Sequence, residues 1–443
     1  MKHSLSVGFA RVDISPEESV PLAGYGNTSR RMSKVVMDPL YANGLAFTDE
    51  AGNTMLVIVM DQCNMYNPLP SMREDVSKAT GLPVEKIMLC CTHTHSAPHL
   101  ENSEKDSIPR YCEKLRRCLA ECALAALADR APATVSVSAT QTQNMNFVRR
   151  YILADGTYAG DNYGHPEISP IVAHETEGDH QLQIVKFTRS GAKDIIMANF
   201  QGHPHRAGGS TKPECTSDLV GVFRAELEQQ ENCHALYFTG ASGNMNCHSR
   251  MKEENITPDY IAHGKALARY AQEALQTLRP VHVGKVCNIS MNYKGAADHS
   301  QDHKLEQAKI VVERWEKGAG YAGSIAGFED LFNSPYHAIS TIAKSKRPQT
   351  LEAELNGISF GDVSMIFAPF ELFCELGAQI KQETPFETTF VCCYSNNIFS
   401  YLPTQLGFDH GGYGPNQCRF VPGTGEIIVK EFLNILEKLK AGQ

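Results

Sequence analysis

Apolar residues in this chain follow two rhythms. Runs that are apolar at nearly every position occur at 54–61 (TMLVIVMD), 87–92 (IMLCCT), 194–200 (DIIMANF), 233–239 (CHALYFT), 363–369 (VSMIFAP) and 388–394 (TTFVCCY). Further β-type runs lie at 134–142, 181–188 and 283–293. Runs this short and continuous read as strands covered on both faces. Between them, apolar residues recur three and four positions apart, the spacing of a helix with one buried stripe. That spacing predicts helices at 108–129, 218–230, 258–278, 303–317, 371–382 and 426–440, the last carrying Ile427, Phe432, Ile435 and Leu439 on its repeat. Ser107 is placed to cap the first of these, and Pro109 falls in its first turn. The alternation predicts the α/β class (mixed α+β), with mixed β-sheets flanked by helices in layers. The segment 295–360 is more polar and less regular, which suits an insertion or a cap over a site.

Composition narrows the function without naming it. The 443 residues are 42% hydrophobic and 21% charged, ordinary for a soluble globular chain with a large core. A net charge of −9 with no block of Lys or Arg argues against nucleic acid as a partner. No apolar run reaches the length of a signal peptide core or a membrane span, so a soluble, cytoplasmic protein is expected. None of the fourteen cysteines forms a C-x-x-C pair, and most sit in apolar runs. They read as reduced thiols filling the core, with Cys91 left open as a metal ligand.

The polar residues of interest share one position, just past the carboxyl end of an apolar run. His93 and His95 follow 87–92, His203 and His205 follow 194–200, and Asn244 and Asn246 follow 233–239. Glu371 follows 363–369, and Tyr401 comes shortly after 388–394. If these strands share a sheet and a direction, the groups converge on one edge, where α/β sheets hold ligands. Each has a plainer reading alone. His-x-His is a frequent zinc spacing but also occurs in surface loops. Pro204 restrains His203 to extended geometry. Glu371 at the start of a helix is favoured by the helix dipole in any case, and Tyr401 and Tyr413 could simply pack. The segment "GASGN" around Ser242 only loosely approaches a nucleophile elbow. Arg149-Arg150 could clamp an anion or lie on a solvated face.

The order of these motifs resembles the neutral/alkaline (non-lysosomal) ceramidase family, most closely its shorter bacterial members. "VGFARVDISPEESVPLAGYG", "DPLYANGLAF", "THTHSAPH", "NFQGHP", "TGASGNMN", "PFELFCELGAQIK" and "SYLPT…GGYG" occur in family order over about residues 6–430. The resemblance implies one layered, ceramidase-like catalytic domain over 1–443, without the carboxyl-terminal immunoglobulin-like domain of longer members. It implies one zinc ion (Zn2+) per chain, held by His93, His203, Glu371 and Tyr401. His95 would stand beside the reacting group, and Arg149 and Tyr413 would contact the substrate carbonyl or its oxyanion. The chain departs from the family at Asn246, which stands where a "G-D-x-S-P-N" segment supplies a serine. Asn246 cannot be a nucleophile but can orient water or substrate.

The activity so implied is cleavage of a C–N amide bond in a small N-acylated substrate by zinc-activated water. Ester, lactone or phosphoester hydrolysis at the same metal is an alternative, as is a zinc-binding homologue without catalysis. A homo-oligomer is compatible with the sequence.

Overall fold

The computed structural model describes residues 5–25, 31–63, 69–100, 107–318 and 321–443. Its apolar runs form two sheets. The larger is ordered 234–239, 195–200, 181–189, 131–141, 5–13, 41–49, 54–60, 87–91, with Arg279–Pro280 added beside 131–141. It is antiparallel through its middle and ends at each edge in a parallel pair, 54–60 with 87–91 and 195–200 with 234–239. The smaller sheet runs Val286–Ala296, Thr350–Phe360, Val363–Phe367, Thr388–Cys392, and its last two strands are also parallel.

Alternation of side chains gives each sheet two apolar faces. The inner faces pack on each other: Val57, Met88 and Phe187 of the larger sheet share a core with Phe360, Met365 and Phe390 of the smaller. Phe47 stacks on Phe360 across this layer with centroids 4.8 Å apart. The outer faces are covered by helices. Ser107–Ala128 lays Leu115, Leu119 and Cys122 against Leu56, Ile58 and Leu89. Asp218–Glu231 and Tyr260–Leu275 cover Ile196, Ala198 and Tyr237. Cys374–Glu383 and Thr424–Ala441 cover Ala353, Leu355 and Ile366. The layers are therefore helix, sheet, sheet, helix, a mixed α/β fold as the hydrophobic pattern predicts.

Three long strands escaped that pattern. Leu5–Asp13 and Tyr41–Asp49 are interrupted by small and polar residues, yet pair along their whole length. Thr350–Phe360 exposes Glu352 on one face and buries Leu351, Ala353 and Leu355 on the other. It lies inside the stretch that reads as an irregular insertion, as does the end of Val286–Ala296. Between them, 297–349 holds the helices Leu305–Glu316, Tyr321–Ile325 and Pro335–Ser345 around a small core of Ala308, Val311, Phe332 and Ala338. Ser334 caps the last helix by accepting from the His337 amide, and Pro335 opens it. A buried Lys344–Asp298 ion pair of 2.6 Å ties it back. Trp315, the one tryptophan, packs edge-on to Tyr336 at 5.7 Å between centroids. Among the described residues, no helix is long and apolar enough to cross a membrane.

Candidate metal centre

Two sheets, rather than one, supply the strand ends. The larger provides Ile87–Cys91, Ile195–Phe200 and His234–Thr239, and the smaller provides Val363–Phe367 and Thr388–Cys392. The groups still meet, because the facing sheets place their parallel edge pairs together. His93 lies two residues past its strand in the left-handed region, at φ 67°, which turns the chain sharply at the sheet edge. Glu371 does not open a helix, as the sequence suggests; the helix begins at Cys374. Pro369 cannot donate a helical hydrogen bond, and Glu371-Leu372 instead form a two-residue parallel strand with Tyr401-Leu402. Glu371 and Tyr401 are register partners in it. The 240–246 loop presses on this strand through a 2.7 Å bond from the Gly243 amide to the Leu372 carbonyl. A Cβ at Gly243 would stand 2.3 Å from the Glu371 carbonyl oxygen, so only glycine permits the approach.

His93, His203 and Glu371 present one ligand atom each within 4.8 Å of one another, all buried. Glu371 Oε2 lies 3.2 Å from His203 Nε2 and 3.6 Å from His93 Nε2. The histidine tautomers follow from their outer nitrogens. His93 Nδ1 donates to the Cys63 carbonyl at 2.8 Å, and His203 Nδ1 donates to the Met245 carbonyl at 3.0 Å. Each Nε2 is then a bare lone pair facing the carboxylate. Burial holds His93 neutral by pushing its pKa down to about 3 and that of His203 well below its usual value. Burial also pushes Glu371 up to about 7, against the pull of Arg149 and the Tyr401 hydroxyl. Two imidazole lone pairs and a carboxylate converge here, and either a proton on Glu371 or a cation between the three relieves their repulsion. The donor set of two imidazoles and a carboxylate suits Zn2+. A second group, Cys63, His93 and His95, is close enough to chelate. In it the Cys63 sulfur lies 3.9 Å from His93 Nδ1, a nitrogen that already faces the Cys63 carbonyl.

The other expected residues line up around this cluster. His95 Nε2 is 3.2 Å from His93 Nε2, while its Nδ1 is buried without a partner. Arg31 fixes the His95 carbonyl at 2.7 Å, and Gly24, at φ 111°, lets the chain lie against the His95 ring. Tyr401 accepts from Arg149 Nη2 at 2.9 Å, and its hydroxyl donates to Glu371. Arg149 also bonds Asp161 at 3.1 Å, Asn246 Oδ1 at 3.5 Å and the Gly243 carbonyl at 2.7 Å. A guanidinium only donates, so the Asn246 oxygen faces it, and His205 Nε2 must donate to that oxygen at 2.9 Å. Tyr413 stands beside Tyr401, with ring centroids 5.5 Å apart.

His95, Arg149, Asn246, Tyr401 and Tyr413 all line a cavity of about 530 Å³. Among the lining residues to which sequence reasoning assigned no role are Tyr25, Asp161, His248, Arg250 and Tyr336. Asp161 resists its own burial and stays below the usual carboxylate range through Arg149, His205, His248 and Arg250. Burial pushes His248 down to about 4. Only His248 carried a signal, being two residues past Asn246 in the same strand-end loop.

Other candidates have structural work. Ser242 is buried, accepts from the Gly202 amide at 2.8 Å and donates to the Gly240 carbonyl, which removes the nucleophile-elbow reading. Arg150 forms a buried ion pair with Glu175 and bonds the Gly411 carbonyl. Asn244 accepts from the Cys374 amide at 2.7 Å and so starts that helix. Cys91 packs in the helix-facing core, and Cys63 is the thiol nearest the histidines. His99 donates its amide to the Pro21 carbonyl and does not line the cavity.

No protein-family model matches the chain, and neither does any curated protein sequence. Solved structures do. The chain is similar to neutral ceramidase from Pseudomonas aeruginosa with a TM-score of 0.72 and 15% identity, over 99% of this chain and 75% of that one. It is equally similar to a ceramidase complexed with C2, at TM-score 0.72 and 14% identity over the same shares. The chain thus has a neutral ceramidase-like fold, and the likeness drawn from its motifs extends to its architecture.

Proposed function

We propose that the chain is a zinc-dependent hydrolase of the C–N amide bond in a small N-acylated substrate, with one zinc held by His93, His203, Glu371 and Tyr401. The observation that carries this is the meeting of three buried acceptors, His93 Nε2, His203 Nε2 and Glu371 Oε2, behind His95 and Tyr401, which line a substrate-sized cavity. Zinc at such a site supplies a Lewis acid for the amide carbonyl and brings the pKa of a water to about 7. The protein's own groups do the rest. His95, kept neutral by burial and by His93, has a lone pair available for the proton that water gives up. Returning that proton to the departing nitrogen lets the amine leave neutral, so water is added across the C–N bond with no net charge change at His95. Arg149 acts through Tyr401 on Glu371, and its charge sits beside the place where the carbonyl oxygen becomes negative. Tyr413 lines the same wall and offers a hydroxyl to that oxygen. Asn246 lines the cavity with its oxygen held by Arg149 and His205, which leaves its amide nitrogen as a donor for substrate.

Metal analysis of the purified protein tests this directly. About one zinc per chain is expected, with amine release that a chelator abolishes and zinc restores. A folded protein without stoichiometric metal sinks the proposal. Comparing an amide and an ester of one acid separates the amidase from an esterase.

A further inference from the structure

The walls of the cavity speak to what enters it. Among the described residues that line it, none has an aliphatic side chain. The polar walls beyond the metal cluster are Arg149, Asp161, His205, His248 and Arg250, and the flat ones are tyrosines. Small-molecule sites of this volume are mostly apolar with a few polar anchors, and this one reverses the proportion. A hydrocarbon chain gains nothing here, since it would strip water from charged and hydrogen-bonding groups without replacing it.

Two recesses that adjoin the cavity among the described residues are no more welcoming to such a chain. Past His205 and His248 a second cavity of about 520 Å³ adjoins, where Arg206, Lys212, Glu214 and Asp259 lie alongside Met37 and Pro258. Behind Arg149, the recess against Tyr163, Phe373 and Tyr413 has a volume of only about 10 Å³. An acyl chain cannot enter there.

The same walls suit a hydroxylated ring. Tyr336 and Tyr413 stand at right angles, 88° between planes with centroids 6.5 Å apart, and offer flat faces to carbon–hydrogen surfaces. The Asp161 carboxylate accepts from hydroxyls, and its charge is already balanced by Arg149 at 3.1 Å, so a neutral polyol needs no counter-ion. His248 and Arg250 add hydrogen-bonding groups on the same wall.

We propose that the substrate is hydrophilic on both sides of its amide, a short-chain N-acyl derivative of a polyhydroxylated amine such as an acetylated amino sugar, and not a long-chain N-acyl lipid. This rests on the amidase reading for the bond that is cut, but on the cavity wall for what is bound. The test uses the zinc-loaded full chain and measures amine release from N-acetylhexosamines and from N-palmitoyl sphingoid base in detergent micelles. The expected result is a kcat/KM at least about tenfold higher for the sugars, with H248L raising their KM about tenfold more than it lowers kcat, as loss of one hydrogen-bonding partner would. R250A, on the exposed rim, gives the same KM-weighted change should H248L fold poorly. Equal or faster release from the lipid overturns the proposal. If neither amide is cut, the amidase reading fails and calorimetric titration decides this one. Saturable binding of the sugar, weakened in either variant, upholds it; no binding of the sugar overturns it.

Discussion

Asp61 and Glu371 are both carboxylates closed off from solvent just past apolar runs, at 0% and 4% exposure. Asp61 is complete. Arg224 donates to both its oxygens, at 2.9 and 2.5 Å, and the Tyr41 amide and Thr92 hydroxyl add bonds of 2.9 and 3.3 Å. Glu371 receives the Tyr401 hydroxyl, but its Oε2 faces two imidazole lone pairs. Position at a strand end does not distinguish the two, and neither does burial. The balance of donors and acceptors does: Asp61 carries its counter-charge as a paired guanidinium, whereas Glu371 sets a carboxyl against two imidazole lone pairs.

Variants can break that contrast. The largest effect is expected from E371Q, with loss of bound zinc and a fall in turnover of at least about a thousandfold, since the metal contributes several kcal/mol at the transition state. Metal-free E371Q should melt no lower than metal-free wild type, because the change relieves an acceptor conflict. R224M should do the reverse. It strands a buried charge and lowers stability by about 3–5 kcal/mol in denaturant titration, while the folded fraction keeps its zinc. The double variant D61L/R224M should recover much of that loss, which a double-mutant cycle reads as coupling. Smaller again is Y401F, which removes the proposed fourth ligand and cuts the Arg149–Tyr401–Glu371 chain; zinc affinity or turnover should fall about 10–100-fold.

The smallest effect sharpens the contrast through pH. His93 and His263 are both held neutral by burial, each with a pKa near 3 against 6.5 when unfolded. The folded state resists protonation of both, so the stability they contribute is present above pH 6.5 and is lost as pH falls toward 3. H263L should flatten part of the fall in Tm over that window at unchanged zinc content. At His93 the same protons compete with zinc, so the rise in Tm on adding zinc should vanish as the pH falls.

Much of the fold was legible because continuous apolar runs become strands buried on both faces, as at Thr54–Met60 and Ile87–Cys91. Leu5–Asp13 was hidden by Gly8 and Arg11, whose places depend on neighbours distant in sequence. Gly8 lies under the helix ending at Ala128, and Arg11 reaches Glu228 at 2.8 Å. Among the site residues, His93, His203 and Glu371 were legible as polar interruptions at strand ends, although the local geometry of Glu371 was not. Asp161 lies on the loop after Tyr158–Gly160 and follows no long apolar run; it meets Arg149 at the cavity through contacts distant from any local pattern. Tyr25 and Tyr336 are likewise aromatic residues whose exposure to a cavity no local pattern reports.

Trp315 has a use beyond packing. It is the one indole of the chain, and its neighbour Tyr336 is a wall of the cavity. Emission excited at the red edge of the absorption band therefore arises from one place, a single side chain removed from whatever occupies the site. The protein carries its own optical reporter, and a titration followed in a fluorimeter can register occupancy with no label attached and no bond broken.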